Sequence, residues 1–108
     1  MKENKIYLLH IIESIEKTQK YIENETYKSF SRNDLIIDGV LRNFEIIGEA
    51  ACKIDDEFQE KNSQIPWSKM IAMRNKLIHE YFGVDKKVVW ETVKNDLPEL
   101  KKAISDIL

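Results

Sequence analysis

Apolar residues recur every three or four positions along most of this 108-residue chain. In a helix, this spacing collects them on one face and leaves the charged residues on the others. Only three glycines and two prolines interrupt the pattern. These are few turn-forming residues for an all-β domain, which needs many turns. The sequence therefore predicts an all-α fold, an antiparallel bundle of four to five helices in which the fifth is short.

The predicted helix boundaries follow from local signals. The four segments run approximately over Glu3–Tyr27, Arg32–Gln59, Pro66–Tyr81 and from the capping residue Asp85 onward. Ser31–Asp34 matches a capping box, Pro66 suits the first turn of a helix, and Gly83 suits a helix stop. Pro98 falls inside the last apolar stripe, so we expect a kink there, or a break near Asn95–Asp96.

Small residues cluster in the second segment. Gly48, Ala50 and Ala51 lie close together, which would let another helix approach closely, although glycine lowers helix propensity. Cys52 is the only cysteine, so it cannot form an internal disulfide. Its neighbours predict a small residue buried in the core.

Bulk composition limits the class of protein. A hydrophobic fraction of 43% suits one packed domain over residues 1–108. Neither a signal peptide nor a membrane-length apolar run is recognisable, so we expect a cytoplasmic protein without membrane contact. The net charge of −2 argues against binding to polyanions through the field of the whole surface. Any contact with nucleic acid would need a local basic patch.

Arg74 is the most informative candidate for a functional site. It lies on an apolar stripe with Trp67, Ile71, Ile78 and Tyr81, and a charge on such a face needs a partner or a function. Arginine offers a fork of donors that matches phosphate oxygens, and His79 could transfer protons near neutral pH. The pair suits metal-free RNA cleavage, in which a base activates the 2′-hydroxyl for attack on phosphorus.

Geometry alone does not bring Arg74 and His79 together. Five residues separate them, so on a straight helix their side chains diverge. Either the helix ends or distorts before His79, or a second copy of the chain completes the pocket. The structural alternative pairs Arg74 with Glu45 or Glu49 and explains His79 by the helix dipole.

Other site chemistries find little support in the sequence. Two histidines 69 residues apart and one cysteine form no recognisable zinc set. No glycine-rich phosphate loop occurs either. We therefore predict neither a metal site nor a cofactor.

Several blocks of the sequence resemble HepT-type toxins of the HEPN superfamily. The resemblance covers approximately Asp38–Ile104, and the blocks occur in the family's order. They are Leu41–Ala51, Ile65–Trp67, Met73–Asn75, His79–Asp85, Val89–Trp90 and Asn95–Leu100. The Arg-x4-His-x-Tyr element fits the motif of that family, whereas residues 1–30 agree only in helical character.

This resemblance implies a fold, an activity and partners. HepT-like proteins are helical bundles that form two-fold homodimers and cleave RNA without metal at the dimer cleft. Carried over, Arg74 would bind phosphate, His79 would be the general acid and base, and Asn75 would be a supporting contact. Tyr81 would receive AMP from an antitoxin, a minimal nucleotidyltransferase of MntA type, and the added phosphate would repel the substrate.

Two other functions remain open at the sequence level. The chain could be a non-catalytic nucleotide- or partner-binding subunit of a nucleotidyltransferase, with Arg74 and His79 holding a nucleotide phosphate. It could also be a structural dimeric bundle that carries a degenerate motif.

Overall fold

The computed structural model describes the backbone of residues 2–80 and 83–108, and the side chains of residues 3–75 and 83–108. Its helices are α1 Lys2–Tyr21, α2 Tyr27–Ser31, α3 Asp34–Cys52, α4 Asp56–Lys61, α5 Trp67–Glu80, α6 Lys86–Glu91 and α7 Leu97–Ile107, with a π-helical turn over Thr92–Asp96. These described ranges hold no strand, so the all-α prediction is confirmed. Four long helices are present as predicted, with three short ones instead of one.

The core forms where α3 packs against both α1 and α5, while α7 packs against α1. The apolar stripes read from the sequence are the residues that become buried there. Among them are Leu8, Ile11 and Ile15 of α1, Val40, Phe44 and Ile47 of α3, and Val93, Leu97 and Ile104 near the C-terminus. None of the described helices combines the length and apolar character needed to cross a bilayer.

Contacts at both ends of α1 show that α1 and α3 are antiparallel. The side chain of Asn4 is 2% exposed. Its amide donates to a carboxylate oxygen of Asp55 at 3.2 Å and accepts from the Asp55 backbone N–H at 3.1 Å. At the other end, Tyr21 lies beside Gly39, in the first half of α3. The predicted antiparallel arrangement of these neighbours is confirmed.

The second predicted helix is wrong in its length, because α3 ends at Cys52 and α4 begins at Asp56. Gln59 closes the gap by donating to the carbonyls of Ala51 at 3.1 Å and Ile54 at 3.2 Å. Ile54 remains buried, so the spacing of apolar residues continues across the break between α3 and α4. The sequence pattern therefore does not reveal where α3 ends. The burial predicted for Cys52 is also wrong, because this residue is exposed at the end of α3.

The capping box predicted at Ser31–Asp34 is wrong as well. Asn33 caps α3 by accepting a hydrogen bond from the backbone N–H of Ile36 at 3.1 Å. A capping box instead begins α2, where the side chains and backbone of Thr26 and Ser29 bond reciprocally. The chain between the first two predicted helices, expected to be a connection, therefore contains the short helix α2.

Two local predictions in the C-terminal third are confirmed. Asp85 caps α6, with one carboxylate oxygen accepting from the backbone N–H groups of Lys87 at 2.9 Å and Val88 at 3.3 Å. Pro98 lies in the first turn of α7, directly after the π-helical turn at Thr92–Asp96. The expected distortion therefore takes the form of a wider helical turn.

Candidate active site

The candidate site lies where α3 and α5 come into direct contact at Gly48. A Cβ atom placed on Gly48 would lie 2.3 Å from Cβ of Arg74 and 2.9 Å from the backbone oxygen of Met70. Neither separation is tolerable for real atoms, so only glycine fits between the two helices. The close helix approach predicted from the small residues is confirmed, and the approaching helix is the one that carries Arg74.

The guanidinium of Arg74 is held by two neighbouring side chains. Its Nη1 donates to Oε1 of Glu49 at 2.9 Å. Its Nε and Nη2 both donate to the amide oxygen of Asn75, at 3.1 and 2.7 Å. The Arg74 side chain is 23% exposed, so the group is fixed in direction while part of it still reaches solvent.

The bonding leaves Arg74 with donors for an anion. In a guanidinium, Nε carries a single N–H and each terminal nitrogen carries a pair. Among the described residues, the contacts of Arg74 use one N–H on each nitrogen and leave one on Nη1 and one on Nη2. The two remaining N–H groups suit two oxygens of one phosphate. Glu49 is 53% exposed, so its carboxylate can move into solvent when an anion arrives.

The ion pair named by the structural alternative is present. Glu49 is the carboxylate that binds Arg74, whereas Glu45 pairs with Arg42 at 3.5 Å. In the functional interpretation, the same pair positions the guanidinium. The sequence suggested Glu49 only as a structural ion-pair partner of Arg74. The spacing of the two residues does not show whether the pair stabilises the fold or positions the guanidinium.

The other predicted site residues are described only in part. The α5 backbone is helical through Glu80, so the helix does not end before His79. At 3.6 residues per turn, five residues place His79 about 140° around the axis from Arg74. The side chain of His79 and all of Tyr81 lie outside the described residues.

The first turns of α5, which precede Arg74, are held in the core by burial and by a hydrogen bond. Trp67 and Met70 are buried, and the indole N–H of Trp67 donates to the backbone oxygen of Asn62 at 3.0 Å. Ile71 is half-buried. The described part of the predicted stripe therefore faces the core up to Arg74, whose charged end lies at the edge of that stripe.

Comparison with known proteins identifies a family. The family model "Ribonuclease HepT-like" matches residues 11–107. A "probable ribonuclease HepT" of Thermococcus cleftensis is 42% identical over 100 residues, covering 93% of this chain and 91% of that protein. A "putative RNase" of Caldanaerobacter subterraneus subsp. tengcongensis is 39% identical over 108 residues, covering 100% of this chain and 96% of the relative.

A longer relative comes from Methanocaldococcus jannaschii and bears the name "gamma-glutamylcyclotransferase and putative RNase". It is 46% identical over 107 residues, which is 99% of this chain. The chain spans about half of that relative, 48% of its length. No solved structure matches this chain.

Proposed function

This chain belongs to the HepT-like ribonuclease family, and from that membership we propose that it is an RNA endonuclease toxin. The observation that carries the proposal is the guanidinium of Arg74, fixed by Asn75 and Glu49 with two donors left over. These donors would bind the scissile phosphate and stabilise the negative charge that develops on it. Asn75 would support catalysis by orienting Arg74.

His79 would supply proton transfer. As a base it takes the 2′-hydroxyl proton, and that oxygen attacks the adjacent phosphorus. The P–O bond to the 5′ oxygen of the next nucleotide breaks, and an acid protonates this leaving oxygen. The products are a 2′,3′-cyclic phosphate and a 5′-hydroxyl, and no step requires a metal ion.

A two-fold homodimer would complete the site. The backbone of α5 is helical through Glu80, and five helical residues place the Cα atoms of Arg74 and His79 on different sides of the helix axis. We therefore propose that one chain does not direct both groups at one atom. A second copy at a shared cleft would bring another imidazole to the phosphate. One histidine would then serve as base and the other as acid.

Cleavage of RNA in the presence of EDTA tests this function. We expect the wild-type protein to cut single-stranded RNA in EDTA, and His79→Ala to abolish cutting while retaining the wild-type helical circular dichroism. Intact RNA after incubation of several substrates with folded wild-type protein would refute the proposal. Activity that requires added divalent metal would refute metal independence.

Regulation would act through Tyr81. A MntA-type nucleotidyltransferase would transfer AMP from ATP to the tyrosine oxygen and release pyrophosphate. The new phosphate would lie beside a site that binds phosphate and would repel the substrate. After incubation with the cognate antitoxin, ATP and magnesium, the intact mass should rise by multiples of AMP. This gain should be absent in Tyr81→Phe; a persistent adduct there would refute the assignment.

The ion pair between Arg74 and Glu49 also fits a non-catalytic subunit that binds a nucleotidyltransferase or its nucleotide. Growth of cells separates the two functions. A toxin expressed alone arrests growth, and His79→Ala relieves the arrest. A binding subunit leaves growth unchanged in both cases.

A further inference from the structure

Three aromatic rings join α2 to α6 on a face that the mechanism above does not use. Phe30 is fully buried, and its ring centroid lies 5.2 Å from that of Trp90. The ring of Tyr27 meets Trp90 edge-on at 6.2 Å. Tyr27 and Trp90 are only half-buried, so each keeps part of its ring at the surface.

Lysine side chains lie over both surface rings. The ammonium of Lys87 lies 4.4 Å from the ring centroid of Tyr27, and that of Lys94 lies 5.5 Å from the centroid of Trp90. Both lysines are exposed. The ion pairs of the described residues include neither of them, and each ammonium there lies over an aromatic face.

Further cations surround this cluster. Lys28 and Arg32 follow Tyr27 along the chain, and neither pairs with a carboxylate within the described ranges. Lys86 reaches across from α6 and donates to the backbone oxygen of Ser31 at 3.0 Å. Lys87 and Lys94 therefore lie over the surface rings and Lys86 links α6 to α2, whereas Lys28 and Arg32 line a cavity beside α2 together with the acidic Glu25 and Asp34.

We propose that this surface, the α2–α6 face, binds single-stranded RNA. The face comprises Tyr27, Lys86, Lys87, Trp90 and Lys94. Bases would stack on the two surface rings, and the lysines would move from the rings to the phosphates. The proposal rests on the ribonuclease function and deepens it by assigning a second contact for the substrate.

Replacing the lysine–ring contacts by stacked bases should favour binding, because stacking contributes more to the equilibrium constant than a cation–π contact does. An exposed cation–π contact contributes about two- to fivefold to an equilibrium constant. A base stacked on an aromatic side chain contributes about five- to 150-fold. The displaced lysine is not lost, since it gains a phosphate and releases a counterion from the RNA.

The chemistry favours single-stranded RNA over duplex RNA or an acidic protein. A duplex hides the base faces that Trp90 would stack against. An acidic segment would pair with Lys87 and Lys94 but would gain little from the flat ring. Recognition that depends on both the ring and the lysines therefore indicates unpaired bases.

A short connection joins the helix that carries Arg74 to α6, which carries Trp90. Helix α5 ends at Glu80, and Asp85 caps α6. Five residue steps span at most about 18 Å. The end of the helix that carries Arg74 and the beginning of α6 are therefore no more than about 18 Å apart, and we propose that one strand of RNA contacts both.

Binding of a labelled single-stranded RNA with 2′-O-methyl groups tests the proposal on the wild-type protein. This analogue lacks the attacking hydroxyl, so binding is measured without cleavage and does not depend on the proposed chemistry. The first variant is Lys87→Glu/Lys94→Glu, and the second is Trp90→Leu. The matched control, Lys17→Glu/Lys102→Glu, makes the same change in net charge at exposed lysines of α1 and α7.

We expect the paired lysine variant to weaken binding by about tenfold or more, because each substitution replaces an attraction to a nearby phosphate with a repulsion. It should also lower the slope of log affinity against log salt by about 1.4, from two single-strand phosphate contacts. Trp90→Leu should weaken binding with little change in that slope. The control should alter affinity by less than about threefold.

Any other result for the binding of this RNA analogue overturns the proposal. Absence of binding by the wild-type protein would do so, as would equal weakening by the control variant. Equal binding by the paired lysine variant and the wild type would contradict it even if Trp90→Leu failed to fold. Displacement of the RNA by polyglutamate as effectively as by unlabelled RNA would point to an acidic protein partner. Binding without cleavage of ordinary RNA would refute only the ribonuclease function.

Discussion

Gly48→Ala is the substitution that tests most sharply how the fold positions Arg74. The new methyl group would meet Cβ of Arg74 at 2.3 Å and the backbone oxygen of Met70 at 2.9 Å. Both atoms belong to α5, and neither is the end of a flexible side chain. Restoring an ordinary contact of 3.4 Å from 2.3 Å requires a movement of about 1.1 Å, so α5 must move away from α3 as a unit.

The change in the free energy of unfolding caused by Gly48→Ala is the difference between two effects. Alanine in place of a helical glycine gains about 1 kcal/mol in helix propensity. Forcing an extra group into a packed contact costs about 1–3 kcal/mol, and we take the upper end because the helix backbone itself must move. The net loss is about 2 kcal/mol, which lowers Tm by roughly 10 °C in a domain of this size.

Gly39→Ala provides the matched control in the same helix. Its added methyl would lie 3.1 Å from Cε2 of Tyr21, and that tyrosine side chain is exposed and can turn aside. We expect this variant to equal the wild type or to gain up to about 1 kcal/mol. Thermal unfolding of the three proteins at one concentration checks both expectations. A Gly48→Ala protein at least as stable as Gly39→Ala would refute the reasoning.

Two further substitutions test the contacts that join the helices. Asn4→Ala removes both bonds to Asp55 and leaves the Asp55 backbone N–H without its partner; we expect a loss of about 1–3 kcal/mol in urea unfolding. An unchanged urea midpoint would contradict this role of Asn4. Asp85→Ala removes the cap of α6 and should cost about 1 kcal/mol, whereas Asp85→Ser should retain most of the stability. Equal losses in the alanine and serine variants would argue against capping.

The parts of the fold that the sequence predicted are those set by local chemistry. Asp85 caps its own helix because the carboxylate needs only the N–H groups two and three residues later. Pro98 distorts the helix because its ring removes a backbone donor wherever it stands. Gly48 permits close approach because it has no side chain, although its partner helix could not be read from spacing alone.

The errors arose where distant residues decide the outcome. Helix α3 ends before Asp55, which bonds to Asn4, 51 residues away in sequence. The apolar period gives no sign of this, since Ile54 stays buried after the break. Cys52 was predicted to be buried from its small neighbours, but its position around α3 leaves it exposed.

In the candidate site too, local features could be predicted from the sequence, whereas a contact between distant residues could not. Sequence spacing singled out Arg74 on an apolar stripe, and the resemblance to the family implied Asn75 as a supporting contact. The structure joins these two side chains directly. The role of Asn75 in catalysis stays a prediction. Glu49 reaches Arg74 from another helix, so only tertiary packing could select it over Glu45.

The RNA cleavage rate of Arg74→Lys, measured beside the wild type in EDTA, tests the central claim most directly. Lysine keeps the positive charge but lacks the planar fork that bonds Asn75 and Glu49 while leaving two donors for phosphate. We predict a fall in kcat of about 100-fold or more, comparable to removal of one donor from an oxyanion site, with Tm nearly unchanged. A folded Arg74→Lys protein that cleaves RNA at the wild-type rate would contradict the account.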